Sequence, residues 1–182
     1  MPSKVQQEMS DLIPIFEQAL TSHLQLFVSD PEVYGYAVLV GEDIDQCGAI
    51  AVTNRESDLS EYLGSEEEPE YRYIPDEWQH WHQDAFTQFN AKLDSVYEVF
   101  RSRCPDDLDV FEYNEDEMNY LTDVYHVYLS AMKSCQDAGA FGSIWYRVIW
   151  ISDSDRFIIG KSFNELNEGR AIDEAGHFFP RN

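Results

Sequence analysis

The segment 114–139 has the least conformational freedom in the chain. Asn114 stands three residues before Glu117, the spacing of a capping box in which each side chain satisfies the other residue's backbone N–H. Met118, Leu121, Val124, Tyr125, Tyr128, Leu129, Met132 and Cys135 then recur every three or four residues, which places them on one face of a helix. Gly139 supplies the stop. A helix with so wide an apolar stripe must bury it against other elements. The rest of the chain therefore has to provide a core.

The partners are legible by pattern. Val5, Met9, Leu12, Phe16, Ala19, Leu20, Leu24 and Phe27 form a second helical stripe, with the main helix expected at 11–28. Pro14 suits that helix only in its first turn, capped by Ser10 or Asp11. Strands are expected at 33–40 (VYGYAVLV), 47–53 (CGAIAVT), 143–151 and 156–159, the third rich in aromatic and β-branched residues. The small residues Gly35, Ala37, Gly48, Ala49 and Ala51 imply close packing on the sheet, most simply by the first helix. Pro75 opens a long helix over 75–103, with Trp78, Trp81, Phe89 and Leu93 on its buried stripe. Ser162 and Glu165 form a second capping box before a short helix closed by Gly169. The expected fold is α+β, one domain over 1–182, with a mainly antiparallel sheet of about four or more strands packed on long amphipathic helices. The helices 75–103 and 114–138 should be antiparallel neighbours, because their connection is short.

Charge narrows the function. The chain carries 35 acids against 12 Lys plus Arg, a formal charge of −23. That balance argues against direct binding to nucleic acid or to anionic membranes and favours a basic protein partner. No apolar run approaches the roughly 18 residues of a membrane span, and the first ten residues lack a secretory signal. Three scattered cysteines, Cys47, Cys104 and Cys135, fit free thiols in a reducing cytoplasm. Residues 42–77 and 105–123 together hold 20 of the 35 acids in 55 residues. Aromatics are interleaved with them, a composition suited to docking. The candidate partner-binding residues are Glu61, Tyr62, Glu66, Glu67, Glu68, Glu70, Tyr71 and Tyr73 in one segment. Asp106, Asp107, Asp109, Glu112, Tyr113, Glu115 and Asp116 are those in the other.

Catalytic and metal signatures are weak. There is no G-x-S-x-G elbow and no CxxC pair. His80 and His82, read as helical, point about 200° apart around the axis and cannot share an ion. Asp153-x-Asp155 reads as a turn. No catalytic residue, metal ligand or cofactor is expected, and an enzyme of unrecognised type would first be sought at His126, Asp153 and Asp155.

Three stretches, YGYAVLV…GAIAVTN, YRYIPDEW and FGSIWYRVIWISDSD, resemble in order and spacing the bacterial domain-of-unknown-function 4303 family. The resemblance implies an α+β domain of about this length and transfers no catalytic residues. Families of this kind often lie near toxin and secretion loci, which makes an immunity role conceivable. The leading expectation is a non-enzymatic, cytoplasmic, acidic binding protein, in one form an immunity protein that neutralises a basic toxin or effector. The alternatives are an acidic nucleic-acid mimic that blocks DNA-binding proteins and an enzyme of unrecognised type. The oligomeric state is left open.

Overall fold

The computed structural model describes residues 4–104, 113–152, 154 and 157–179. Among them the elements run α1 (Lys4–Leu24), β1 (Val33–Val40), β2 (Ala49–Arg55), α2 (Glu68–Tyr73), β3 (His80–His82), α3 (Thr87–Arg101), α4 (Glu115–Asp137), β4 (Tyr146–Trp150), α5 (Phe157–Leu166) and α6 (Arg170–Ala175). Short 3₁₀ turns occupy Glu56–Leu59, Pro75–Glu77 and Gly176–Phe178.

The fold is α+β, with a four-stranded sheet in the order β3-β2-β1-β4. The pairings β1–β2 and β2–β3 are antiparallel, whereas β1–β4 is parallel. The sheet is therefore mixed. The parallel pair is possible because the long excursion through β2, β3, α3 and α4 gives the chain room to return to the same end.

Alternation along the strands sends successive side chains to opposite faces. Tyr36 and its register partner Thr53 face the long helices: the Tyr36 hydroxyl lies 2.7 Å from His23 Nδ1 of α1. Phe16 of α1 is the hub of that layer, with ring centroids 4.8, 4.7 and 4.9 Å from Phe86, Phe89 and Tyr128. Contacts of α3 with α4 pair Phe89 with Tyr128 and Phe100 with Tyr120, so the two helices are antiparallel neighbours as expected.

The opposite face carries Gly35. A Cβ there would lie 2.7 Å from Cη2 of Trp78, so the glycine is needed for the indole to lie on the strand. It is Trp78, not the first helix, that exploits this small residue. The Trp78 indole N–H is buried without a hydrogen-bond partner, a cost set against its packing on Tyr34 and Tyr146.

Asparagine amides satisfy two stretches of strand that have no strand neighbour: β2 beyond the end of β3, and the outer edge of β4. Asn90 of α3 accepts from Ala49 N–H and donates to Ala49 C=O, each at 2.9 Å. Asn167, just after α5, accepts from Arg147 N–H at 2.9 Å and donates to its C=O at 2.6 Å. Each amide takes the place of a neighbouring strand's peptide group and satisfies backbone that would otherwise be an open edge. Ser162 adds to the second of these by accepting from Ile149 N–H at 2.9 Å.

Several expectations are corrected. The Asn114–Glu117 capping box is present, with its two bonds at 3.0 and 2.9 Å. Ser162, by contrast, is no cap: it is buried within α5, which begins at Phe157, so 157–159 is helix rather than strand. Pro14 sits inside α1 rather than in its first turn. It and Ser10, whose carbonyl it cannot serve, are both exposed, so solvent can satisfy that group. The helix expected from Pro75 is confined to Thr87–Arg101. Trp78 adopts an extended backbone (φ −77°, ψ 146°) and residues 80–82 pair with β2. Trp81 is 43% exposed rather than buried, because the strand turns it away from the helical layer.

Leu121 is fully buried in α4. Leu121→Ala should destabilise the fold by about 2–5 kcal/mol, from lost transfer energy and the cavity left behind. Urea denaturation measures this, and a loss below about 0.5 kcal/mol would be that of a surface position.

Candidate functional site

The acidic segment 61–73 is built around helix α2, whose last carbonyls have no partner within so short a helix. Each is met by a side chain from a different strand. Asn54 of β2 donates to Tyr71 C=O at 2.8 Å, Tyr34 of β1 donates to Arg72 C=O at 2.8 Å, and Tyr146 of β4 donates to Tyr73 C=O at 2.7 Å. Asn54 also donates to the Tyr34 hydroxyl at 2.7 Å. The helix is thereby fixed across three strands at the end of the sheet where β1 begins.

Charge holds the same helix from the side. Arg72 is buried, with its guanidinium on Glu56 at 2.9 Å and forked onto Glu68 at 2.9 and 3.2 Å. Two N–H groups aimed at one carboxylate use the planar geometry only arginine offers. Glu68 is held below the usual carboxylate range, first by the Gly64 backbone N–H and then by Arg72. The chain of ions continues: Arg170 lies 3.6 Å from Glu56 and 2.8 Å from Glu174, stacked 4.0 Å over Trp145. A cleft of about 400 Å³ opens beside it, lined by Arg72, Tyr73, Arg170, Glu174 and His177 among others.

This frame leaves two tyrosines on the surface. Tyr62 and Tyr71 stack with centroids 3.6 Å apart and planes 11° from parallel, both partly exposed. Glu61, Glu66, Glu67, Glu70 and Glu77 are exposed in the same stretch of chain, with Leu63 60% exposed beside them. The Tyr71 phenol is pushed up to about 12, first by its hydrogen bond to Tyr62 and then by neighbouring negative charge that includes Glu77 and Glu67. The result is an aromatic platform rimmed by carboxylates.

The other candidates fall differently. Glu68 is an internal ion-pair partner, and Tyr73 is buried with its hydroxyl donating to Glu174 at 2.6 Å. Neither is offered to a partner. Tyr113 accepts from Ile44 N–H at 3.2 Å, beyond the far end of β1, and Glu115 and Asp116 are exposed in the first turn of α4. The eight-residue strand places that anchor roughly 20 Å from the Tyr34 end, so the candidates within 61–73 and the described candidates Tyr113, Glu115 and Asp116 are held at opposite ends of β1. Asp106, Asp107, Asp109 and Glu112 lie outside the described residues, as do Asp153 and Asp155. His126 is exposed, 3.3 Å from the Ser130 hydroxyl.

His80 and His82 stand on strand β3, not on a helix, and so share a face. They are nevertheless committed separately: His80 to Asp58 at 2.9 Å and His82 to Thr53 at 3.1 Å. Among the described residues no group of three or more His, Cys, Asp or Glu side chains is placed to hold a metal ion. No described helix is long and apolar enough to cross a membrane.

The sequence profile described as domain of unknown function (DUF4303) matches residues 15–168, most of the chain. The chain belongs to the DUF4303 family. The match runs from within α1 to just past α5 and so includes the platform, Asn90 and Asn167, which makes them part of the DUF4303 domain itself. No curated protein and no solved structure matches.

Sequence reading missed His23. It is buried beside His82 (centroids 4.9 Å), with Tyr36 as its hydrogen-bond partner. Its pKa falls from 6.5 to about 4, first through burial and then through His82. Protonation therefore favours the unfolded chain: this group costs nothing above about pH 6.5 and removes stability as pH falls toward 4. From pH 7 to pH 5 its share is about 2 kcal/mol. Urea melts at the two pH values should show that loss in the native protein and a smaller one in His23→Gln. Equal losses would place the titration elsewhere.

Proposed function

We propose that this DUF4303 protein is a non-enzymatic acidic binding protein that docks a basic protein partner on the Tyr62–Tyr71 platform. The observation that carries the reading is a rigidly mounted aromatic pair rimmed by exposed glutamates. The deployment of cations supports it: Arg55, Arg72, Arg101, Lys133, Lys161 and Arg170 each pair with a carboxylate of the chain itself. Arg147 donates to the carbonyls of Ile144 and Leu166. These seven positive charges are thus occupied within the fold, while the exposed glutamates of the platform present a negative field. Tyrosine adds rigid contact area and a face for lysine or arginine. An immunity protein bound to a basic toxin is the specific form of this reading. It predicts that co-expression restores growth to cells producing a toxin encoded beside this protein, where the neighbouring reading frame specifies one.

The partner captured from the native host supplies the kinetic test. Raising salt from 0.1 to 1 M shortens the Debye length from about 10 to about 3 Å. The association rate in stopped flow should fall at least about tenfold, with the dissociation rate changing less. Reversing Glu66, Glu67 and Glu70 to lysine should slow association. Glu68 is excluded, because its reversal would break the Arg72 pair. Tyr71→Ala should mainly speed dissociation. An association rate indifferent to salt and to the reversal would leave the acids as a solubility device.

A further inference from the structure

Among the described residues, the face of the sheet that carries Trp78 is covered over only part of its length. Gly35 lies beneath Trp78, whose ring packs on Tyr146, and Ala37, Val52 and Val148 are fully buried. Further along the strands the cover thins. Leu39 is the register partner of both Ile50 and Trp150, so the three share that face in one row, and all three are only half-buried. Trp81, opposite Val52, adds its 43% exposed indole on the same side. Asp76 accepts from the Trp150 indole N–H at 2.9 Å, and the adjoining Glu77 is exposed and borders Tyr71. Glu77 and Asp76 thus link the acidic rim of the tyrosine platform to the end of an apolar row.

We propose that the docking surface continues from the platform onto this row, so that the basic partner presents apolar side chains flanked by lysine or arginine. The apolar side chains would lie on Leu39, Ile50, Trp81 and Trp150, and the flanking cations would meet Asp76 and Glu77. Charge complementarity selects the occupant: carboxylates border the row where it meets the platform, which disfavours an acidic or purely apolar segment. Asn167 and Ser162 occupy the β4 edge beside Trp150, so on that side the partner approaches the face rather than adding a strand. The inference rests on the docking reading above and specifies its partner.

Two short synthetic peptides of equal charge test it on the full chain, one alternating lysine with leucine and the other lysine with serine. Titration followed by the indole N–H signals in a ¹⁵N–¹H spectrum should show the lysine–leucine peptide binding about tenfold more tightly and moving the Trp81 signal. Ile50→Thr and Trp81→Ser, each checked for an unaltered melting temperature, should bring it to the affinity of the lysine–serine peptide and leave that peptide unchanged. Replacing Glu66, Glu67 and Glu70 by glutamine should weaken both peptides. Equal affinity of the two for the native chain would overturn this inference and leave acidic docking standing. So would tighter lysine–leucine binding indifferent to both substitutions. If neither peptide bound at low salt, the docking reading would fall, and this inference with it.

Discussion

Three hydrogen bonds determine where everything near the platform sits. They run from side chains of β2, β1 and β4 to consecutive carbonyls at the end of α2. A six-residue helix cannot satisfy these carbonyls itself, and burying them unpaired would cost on the order of 1–3 kcal/mol each. The sheet therefore acts as the C-cap. The arrangement requires a tyrosine at Tyr34 and Tyr146 and an amide at Asn54, since only side chains of that length and polarity reach a helix lying across the strand ends. It also fixes the rotation of α2. Tyr73 is turned inward, Arg72 sideways into its carboxylates, and Tyr71 outward onto Tyr62.

The Arg72 cluster works on this already fixed geometry. A buried guanidinium between two carboxylates adds little net stability on its own account, because desolvation offsets most of the attraction. Its effect is on specificity of arrangement. Glu56 follows β2, Glu68 opens α2 and Arg170 opens α6, so one set of charges is mutually satisfied only when all three regions are in register. The platform is in this sense mounted twice, by backbone capping from below and by ion pairing from the side.

Much of this was legible in the sequence, and the failures have identifiable causes. The capped helix α4 and strands β1, β2 and β4 were readable because local signals agreed with tertiary need: cap, period and stop all pointed the same way. Residues 75–86 were misread because Trp78, Trp81 and Ala85 happen to recur at helical spacing. The tertiary demand that Trp78 cover Gly35 overrode that local pattern. Ser162 resembled a cap because hydroxyl and carboxylate stood three apart, yet its hydroxyl serves a strand edge distant in sequence. The acidic character of 61–71 was evident from composition. The stacking of Tyr62 on Tyr71 was not, since it depends on a turn at Gly64 and on the anchoring of α2. His23 lay hidden within an apolar stripe, where a buried histidine gives no separate signal.

The amides at Asn90 and Asn167 have a consequence for the chemical lifetime of the fold. Each imitates a peptide group by offering one acceptor and one donor to a single residue of the neighbouring strand. A carboxylate of the same shape has two acceptors and no donor. Spontaneous hydrolysis of either side chain would therefore set a negative charge against the carbonyl of Ala49 or Arg147 and leave an atom-for-atom replica that repels where the original bonded. Losing one nitrogen would open that stretch of strand to pairing with other chains, so a change of a single atom at either position would turn a finished edge into an adhesive one.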